Sequence, residues 1–312
     1  MDRQKTIVDH RFFSAALVTI ALVIASTGLI VGLKEKKLIK GYDATAHAIL
    51  ASEFHDNISN GNYMPTWAAD LRFGFGEPQL QFRPPLQSYV SEMSLFLSKD
   101  IFSALHWTAL LFLIGAGIGM YFFAQGILGS TTHTAALVAT AYVLSPYFLR
   151  DLYVRAAFSE FSCFFVLPWL SLAFLRLAKK PTIQNAAVAS LAYALLALSH
   201  AAVYLFAVPF LILAHVLWRK HIARLSYSIA AVIFGMLISA FYWCIVLIEK
   251  NSVKTLLLAE GYETYPQHFT RLDQLVYMPW AYGEGLGFSY SIGAAILIAV
   301  GWAIYVWTKN FS

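Results

Sequence analysis

The sequence predicts an all-α polytopic membrane protein of about eight transmembrane helices, on three observations. Of 312 residues, 59% are hydrophobic and 12% charged, roughly half the 25% charge of an ordinary soluble domain. Mean hydropathy is +0.63. The apolar residues are also gathered into runs long enough to cross about 30 Å of hydrocarbon, which excludes a water-soluble single domain. The 22 basic and 17 acidic residues leave a formal charge of +5, yet the cations are scattered between apolar runs and form no basic stripe. No nucleic-acid partner is therefore expected.

Taken in order, the first run extends from about Phe12 to Leu33, after a short segment with Arg3, Lys5 and Arg11. It is longer than a signal-peptide core and has no small-residue cleavage site before the Lys cluster, so it reads as a helix that stays in the membrane. Further spans are expected near 101–124, 132–149, 158–178, 184–199, 200–218, 225–248 and 288–308. The fifth and sixth are separated only around Ser199 and His200. Reading them as one span would invert everything downstream.

Two polar stretches interrupt these runs, 34–99 and 249–287, and a single transmembrane domain covers 1–312. With eight spans and a cytoplasmic N-terminus, both stretches become outer loops. The inner loops then carry Arg176, Lys179 and Lys180, and Arg219, Lys220 and Arg224, as the positive-inside rule asks. Lys34, Lys36, Lys37 and Lys40 oppose it, although long polar regions follow that rule less closely than short ones. Within the first loop, Asp43 to Ile58 reads as an interfacial helix with Ala46, Ile49, Leu50 and Phe54 on its apolar stripe and His47 and Glu53 off it. Glycines and prolines from Gly61 to Pro85 mark an irregular segment. A second interfacial helix is expected over Leu86 to Leu97. Cys163 and Cys244 both sit in apolar runs and suggest neither a disulfide framework nor a metal-binding spacing.

Ionisable groups beside membrane spans are costly and tend to mark function. Here they gather on one expected face: Asp43 and His47; Arg150, Asp151, Arg155 and Glu160; His200; and Glu249, His268, Arg271 and Asp273. Asp43 and His47 have the i,i+4 spacing that puts two side chains on one helix face. Such a carboxylate can act as a general base or, with the imidazole, bind a divalent cation, but Asp at a helix start is more commonly a cap. Arg155 suits a lipid phosphate or a snorkelling interfacial role, and on a regular helix it is not a close neighbour of Glu160. His200 reads more simply as a hydrogen-bonded core histidine, and Glu249 as a marker of the water boundary.

The order of several short blocks carries a resemblance. They are Gly41-Tyr42-Asp43-Ala44-Thr45-Ala46-His47, Tyr63-Met64-Pro65-Thr66-Trp67, Gly74-Phe75-Gly76-Glu77-Pro78 and Phe82-Arg83-Pro84-Pro85-Leu86. Ser145-Pro146-Tyr147 follows with Asp151-Leu152-Tyr153-Val154-Arg155 and Glu160, then Ser199-His200, Ala240-Phe241-Tyr242-Trp243 with Glu249, and His268-Phe269. In this order the chain resembles the N-terminal part of 6-pyruvoyl-tetrahydropterin synthase-related bacterial and archaeal membrane proteins, which look like GT-C superfamily glycosyltransferases. Such proteins ordinarily continue through further spans. The resemblance implies a GT-C-like fold at the cytoplasmic membrane with an extracytoplasmic active face and a polyprenyl-phosphate-linked sugar donor. It implies Asp43 as the base, with His47, Arg155, Glu160, His200, Glu249 and His268 lining the pocket. Arg155 would meet the lipid phosphate, and a divalent metal is left open. Tyr42 and Arg83 depart from the pattern, which has another polar residue and an aromatic there. A transporter or lipid flippase and a non-catalytic scaffold remain as alternative functions.

Overall fold

The computed structural model describes residues 2–128, 132–207, 225–253, 269–279 and 291–311. Among the described residues every regular element is helical, and the single β-contact is a bridge between Ala68 and Glu77. The chain is an all-α membrane protein.

The long helices are α1 (Asp2–Glu35), α5 (Ile101–Leu128) and α8 (Phe158–Lys179); between the first two lie α2 (Ala44–Ser59), the short α3 (Gln79–Phe82) and α4 (Leu86–Ser98). After α5 come α6 (Thr132–Val143), α7 (Pro146–Arg150) and a π-turn over Asp151–Arg155. Then follow α9 (Ile183–Ala197), α10 (201–207), α11 (Leu225–Ile238), α12 (Ala240–Glu249), α13 (Leu272–Val276) and α14 (Ala294–Phe311).

The count of spans departs from the hydropathy reading. Among the described residues, stretches of α1, α5 and α8 are long and apolar enough to cross a bilayer, with a fourth span if α11 and α12 form one broken helix. The sequence explains the shortfall. The expected 132–149 span is interrupted at Ser145-Pro146, because a residue preceding proline is driven out of the α-region; Ser145 is extended, with φ −63° and ψ 142°. The expected 225–248 span bends by 68° at Ser239, whose hydroxyl bonds back to the Gly235 carbonyl at 3.0 Å. The 184–199 segment forms the 15-residue α9. The division around Ser199 is present, since α9 ends at Ala197 and helix resumes at 201. Most of the expected 200–218 span, and much of the 249–287 loop, lies outside the described residues.

Packing is built around α5, which lies against α1, α4, α6 and α8, while α8 passes the chain on to α9 and then α11. One apolar core joins Ala25 and Leu29 of α1, Leu105 and Leu113 of α5, and Phe148, Leu152 and Phe161. A second lies between α8, α9 and α11 around Leu170, Tyr193 and Leu196. Small residues let these helices approach closely, as in other membrane bundles. A Cβ on Gly28 would lie 2.8 Å from the Tyr153 ring. The outward faces of α1 and α11 expose Val23, Ile24, Phe234 and Leu237, the surface a lipid environment covers.

The two helices expected between the first two long helices form where periodicity placed them, but α2 is rotated from the expected stripe. It buries Ala44, His47, Leu50, Ala51, Glu53 and Phe54, while Ile49 is exposed. Glu53 is drawn in because its carboxylate accepts the Asp70 N–H at 3.1 Å, tying the irregular segment to α2. Leu50 and Phe54 pack with Ala68 and Leu80 beneath that segment.

Candidate functional site

The π-turn is the structural centre of the site. A π-turn spaces its hydrogen bonds one residue wider than an α-helix and is a frequent local feature of functional sites. At its end Ala156 takes the left-handed conformation, with φ 52° and ψ 39°, and turns the chain back into α8. The terminal carbonyls of Val154 and Arg155 need partners outside the helix. They receive them from the first loop: Tyr42 N–H donates to Val154 O at 3.1 Å and Asp43 N–H to Arg155 O at 2.8 Å. Gly41 permits this seating, because a Cβ there would stand 2.4 Å from the Ala156 Cβ and 3.0 Å from its backbone nitrogen.

Asp43 occupies the N-cap position of α2, yet its side chain makes no capping bond. It is exposed. Its backbone is fixed while its carboxylate is left to water, and it lies near enough to the π-turn to bear electrostatically on Asp151. His47 diverges from it. The imidazole is buried, 4% exposed, with Nδ1 3.1 Å from the Gln87 Oε1 and its ring edge-on to Phe158. Burial, with a smaller contribution from the positive charge of Arg83, lowers its pKa to about 4, so it is neutral at ordinary pH. The two residues therefore share a helix turn but not a ligand position.

Arg155 and Glu160, five apart, are in contact. The reversal at Ala156 brings the first turn of α8 back over the π-turn, which a regular helix would not do. The Arg155 guanidinium pairs with Asp151 Oδ1 at 2.9 Å and with Glu160 Oε2, while Tyr147 OH donates to Glu160 Oε1. Asp151 is wholly buried, and its Oδ2 has no hydrogen-bond partner. Burial, reinforced by the neighbouring Glu160 carboxylate and only partly offset by Arg155 and Arg150, raises the Asp151 carboxyl well above the usual range. Arg150 is buried too and lies over the Tyr147 ring, 4.4 Å from its centroid. His200 Nδ1 accepts the Val203 N–H at 3.4 Å, and the charges of Glu160 and Arg155 reach it. Burial nonetheless holds its pKa below the ordinary histidine value.

The structure thus brings Asp43, Arg155, Glu160 and His200 around one turn, with His47 buried beside it. Glu249 does not join them through any described contact: it is exposed at the end of α12, with Ser252 donating to its carboxylate at 3.1 Å. His268 lies outside the described residues. Arg271 and Asp273 pair with each other on an exposed turn. Among the described residues no three His, Cys, Asp or Glu side chains converge as a metal site. Sequence reasoning missed the central part of Asp151, although its i,i+4 spacing to Arg155 was a usable signal. It also missed Gln87, whose link to His47 spans 40 residues and leaves no local trace.

Two comparisons bear on this arrangement. A family model, the 6-pyruvoyl-tetrahydropterin synthase related domain, described as a membrane protein, matches residues 80–310. That stretch includes the π-turn and Glu160 and begins after Asp43. No curated protein matches the chain.

Proposed function

The chain belongs to the 6-pyruvoyl-tetrahydropterin synthase related family of membrane proteins, and from that premise we propose that it transfers a sugar from a polyprenyl-phosphate-linked donor to an acceptor hydroxyl. In this reading the fold is GT-C-like in the cytoplasmic membrane, and Asp43 faces the extracytoplasmic side. Arg176 and Lys179 in the last turn of α8, with Lys180 at its C-cap, favour that orientation.

One observation carries the reading. The Asp43 carboxylate makes no capping bond, while its own backbone is held against the π-turn by the 2.8 Å bond to Arg155 O. A helix-start aspartate serving only as a cap would use its side chain on the helix. A general base needs the opposite, a fixed backbone and a carboxylate open to substrate. Asp43 takes the proton from the acceptor hydroxyl, and the freed oxygen forms a bond to the anomeric carbon. The bond from that carbon to the phosphate oxygen breaks, and the electron pair leaves with the polyprenyl phosphate, whose charge a nearby cation stabilises.

The buried neutral His47 and the Tyr147–Glu160–Arg155–Asp151 network hold the turn in place. His200, Glu249 and His268 complete the pocket in this reading. With donor lipid and acceptor supplied, the purified protein releases polyprenyl phosphate, and Asp43→Asn lowers the rate by roughly 10²–10⁴. An unchanged rate in that variant removes Asp43 from the chemistry.

The broken α11–α12 helix favours a second reading, lipid or solute transport, since discontinuous helices form transporter sites. Cysteine accessibility that alternates between the two faces along α8–α12 would support transport over transfer.

A further inference from the structure

Helix α4 is turned the opposite way from a helix at a water surface. A surface helix buries an apolar stripe and shows its polar side to solvent, whereas α4 buries Gln87, Ser91 and Ser94 beside Leu95. Its exposed residues are Met93, Phe96 and Leu97, at 70%, 82% and 80% exposure. Their i, i+3, i+4 spacing sets all three on one face. Each of the buried polar side chains has its partner inside the protein. Gln87 Oε1 lies 3.1 Å from His47 Nδ1, and its amide nitrogen donates to Ser91 Oγ at 3.1 Å. Ser91 and Ser94 both meet the Thr108 hydroxyl of α5, at 3.2 and 3.3 Å. Lys99, left-handed with φ 55° and ψ 21°, reverses the chain so that α4 lies back along the start of α5. At the other end Leu86 donates its N–H to Leu198 O at 2.9 Å and packs against the core between α8, α9 and α11.

We propose that α4 is set into the bilayer beside α5, with Met93, Phe96 and Leu97 lying against the acyl chains of membrane phospholipid. A helix resting on the bilayer keeps its polar face in water, but α4 has committed that face to α2 and α5. Polar side chains hydrogen-bonded inward and large apolar ones facing outward are the arrangement of a helix in hydrocarbon. The position fits as well. Thr108 belongs to Ile101–Gly126, a stretch long and apolar enough to cross a bilayer. The Ser94 contact brings Met93 and Phe96 to the height of the adjacent Trp107, which α5 exposes along with Leu111, Ile114 and Ile118. Tryptophan near the end of a span marks the lipid boundary, so the α4 face stands where acyl chains begin. Through Gln87 and the 3.0 Å contact of Glu92 with His55, α4 also carries α2. This deepens the sugar-transfer reading, because it holds the helix that begins at Asp43 against the leaflet in which a lipid-linked donor lies; it rests on that reading only for this consequence, and the lipid contact stands without it.

The test uses the full chain in phosphatidylcholine nanodiscs, with nitroxide labels attached one at a time to Met93→Cys, Phe96→Cys and Leu97→Cys. Asn60→Cys, exposed at the C-cap of α2, is the control. Cys244→Ser removes the half-buried native cysteine, and the buried Cys163 stays unlabelled. Spin relaxation by dissolved oxygen, which concentrates in hydrocarbon, is compared with relaxation by a water-soluble nickel chelate. Oxygen is expected to exceed nickel at 93, 96 and 97, and nickel to exceed oxygen at 60. Nickel in excess at all three α4 positions overturns the proposal. Low access of both reagents there also overturns it, since that result means that another protein surface, such as a second copy of the chain, covers the face. Wild type answers the same question if a labelled variant does not fold. Phosphatidylcholine with a diazirine at the end of one acyl chain should leave carbene adducts on Met93, Phe96 or Leu97, and adducts on the exposed face of α5 with none on α4 overturn the proposal. Oxygen-accessible labels on a protein that releases no polyprenyl phosphate would leave this inference standing and remove the transfer reading; sugar release with nickel-accessible labels would do the reverse.

Discussion

Two turns flank the start of α2, each with an arginine, and they are built to opposite plans. The π-turn Asp151–Arg155 surrounds its arginine with carboxylates, a tyrosine hydroxyl network and backbone bonds from Tyr42 and Asp43. The Phe82–Pro85 turn leaves Arg83 without an ion pair among the described residues. A charge at a membrane edge is therefore not by itself a ligand site. Its neighbours decide whether it holds the protein together.

The largest expected effect lies in the saturated turn. Arg155→Gln strands the buried Asp151 and the nearly buried Glu160 without their shared cation, and breaking a buried pair in this way costs about 3–5 kcal/mol. Thermal unfolding in detergent should show a loss of that order. Arg83→Gln in the same assay should show little, and equal losses from the two would erase the contrast between the turns.

This contrast also marks what the sequence can disclose. The all-helical membrane class follows from composition and run length, and α2 and α4 are placed well by periodicity. Among the described residues fewer helices than expected are long enough to span, because hydropathy averages across short interruptions: Pro146 and Ser239 break the chain through backbone geometry and a single hydroxyl bond. Of the residues singled out in the sequence, Asp43, Arg155, Glu160 and His200 gather around the π-turn, but their contacts were not legible. Arg155 and Glu160 meet only through the left-handed Ala156, an ordinary alanine in sequence, and the direction in which Asp43 turns its carboxylate depends on backbone bonds more than a hundred residues away.

Gly41→Val tests the joint between the first loop and the π-turn. Its side chain would collide with Ala156, and overpacking of this kind costs about 1–3 kcal/mol. The variant should lose stability and the proposed sugar transfer together, as Asp43 is unseated. Full activity with undiminished stability would show that the loop need not dock there.

A smaller effect depends on pH. The His47 pKa is lowered to about 4 from an ordinary value of 6.5, so the folded state binds fewer protons than the unfolded one in this window. His47 therefore contributes nothing unfavourable above pH 6.5, and stability falls as pH drops from 6.5 towards 4, by up to about 3 kcal/mol over the full interval. The melting temperature of wild type should decline across that range more steeply than that of His47→Asn, which preserves a donor towards Gln87. Parallel slopes would show that His47 is not buried as described.

The smallest effect on stability belongs to the residue with the largest proposed effect on rate. Because Asp43 is exposed and makes no capping bond, Asp43→Asn should change stability by no more than about 0.5 kcal/mol, as for an ordinary surface substitution. The most direct test measures that variant's unfolding and its release of polyprenyl phosphate on one preparation. Wild-type unfolding with transfer abolished is the predicted result. Transfer at the wild-type rate, or a loss of transfer accompanied by a loss of folding, would contradict Asp43 as the base.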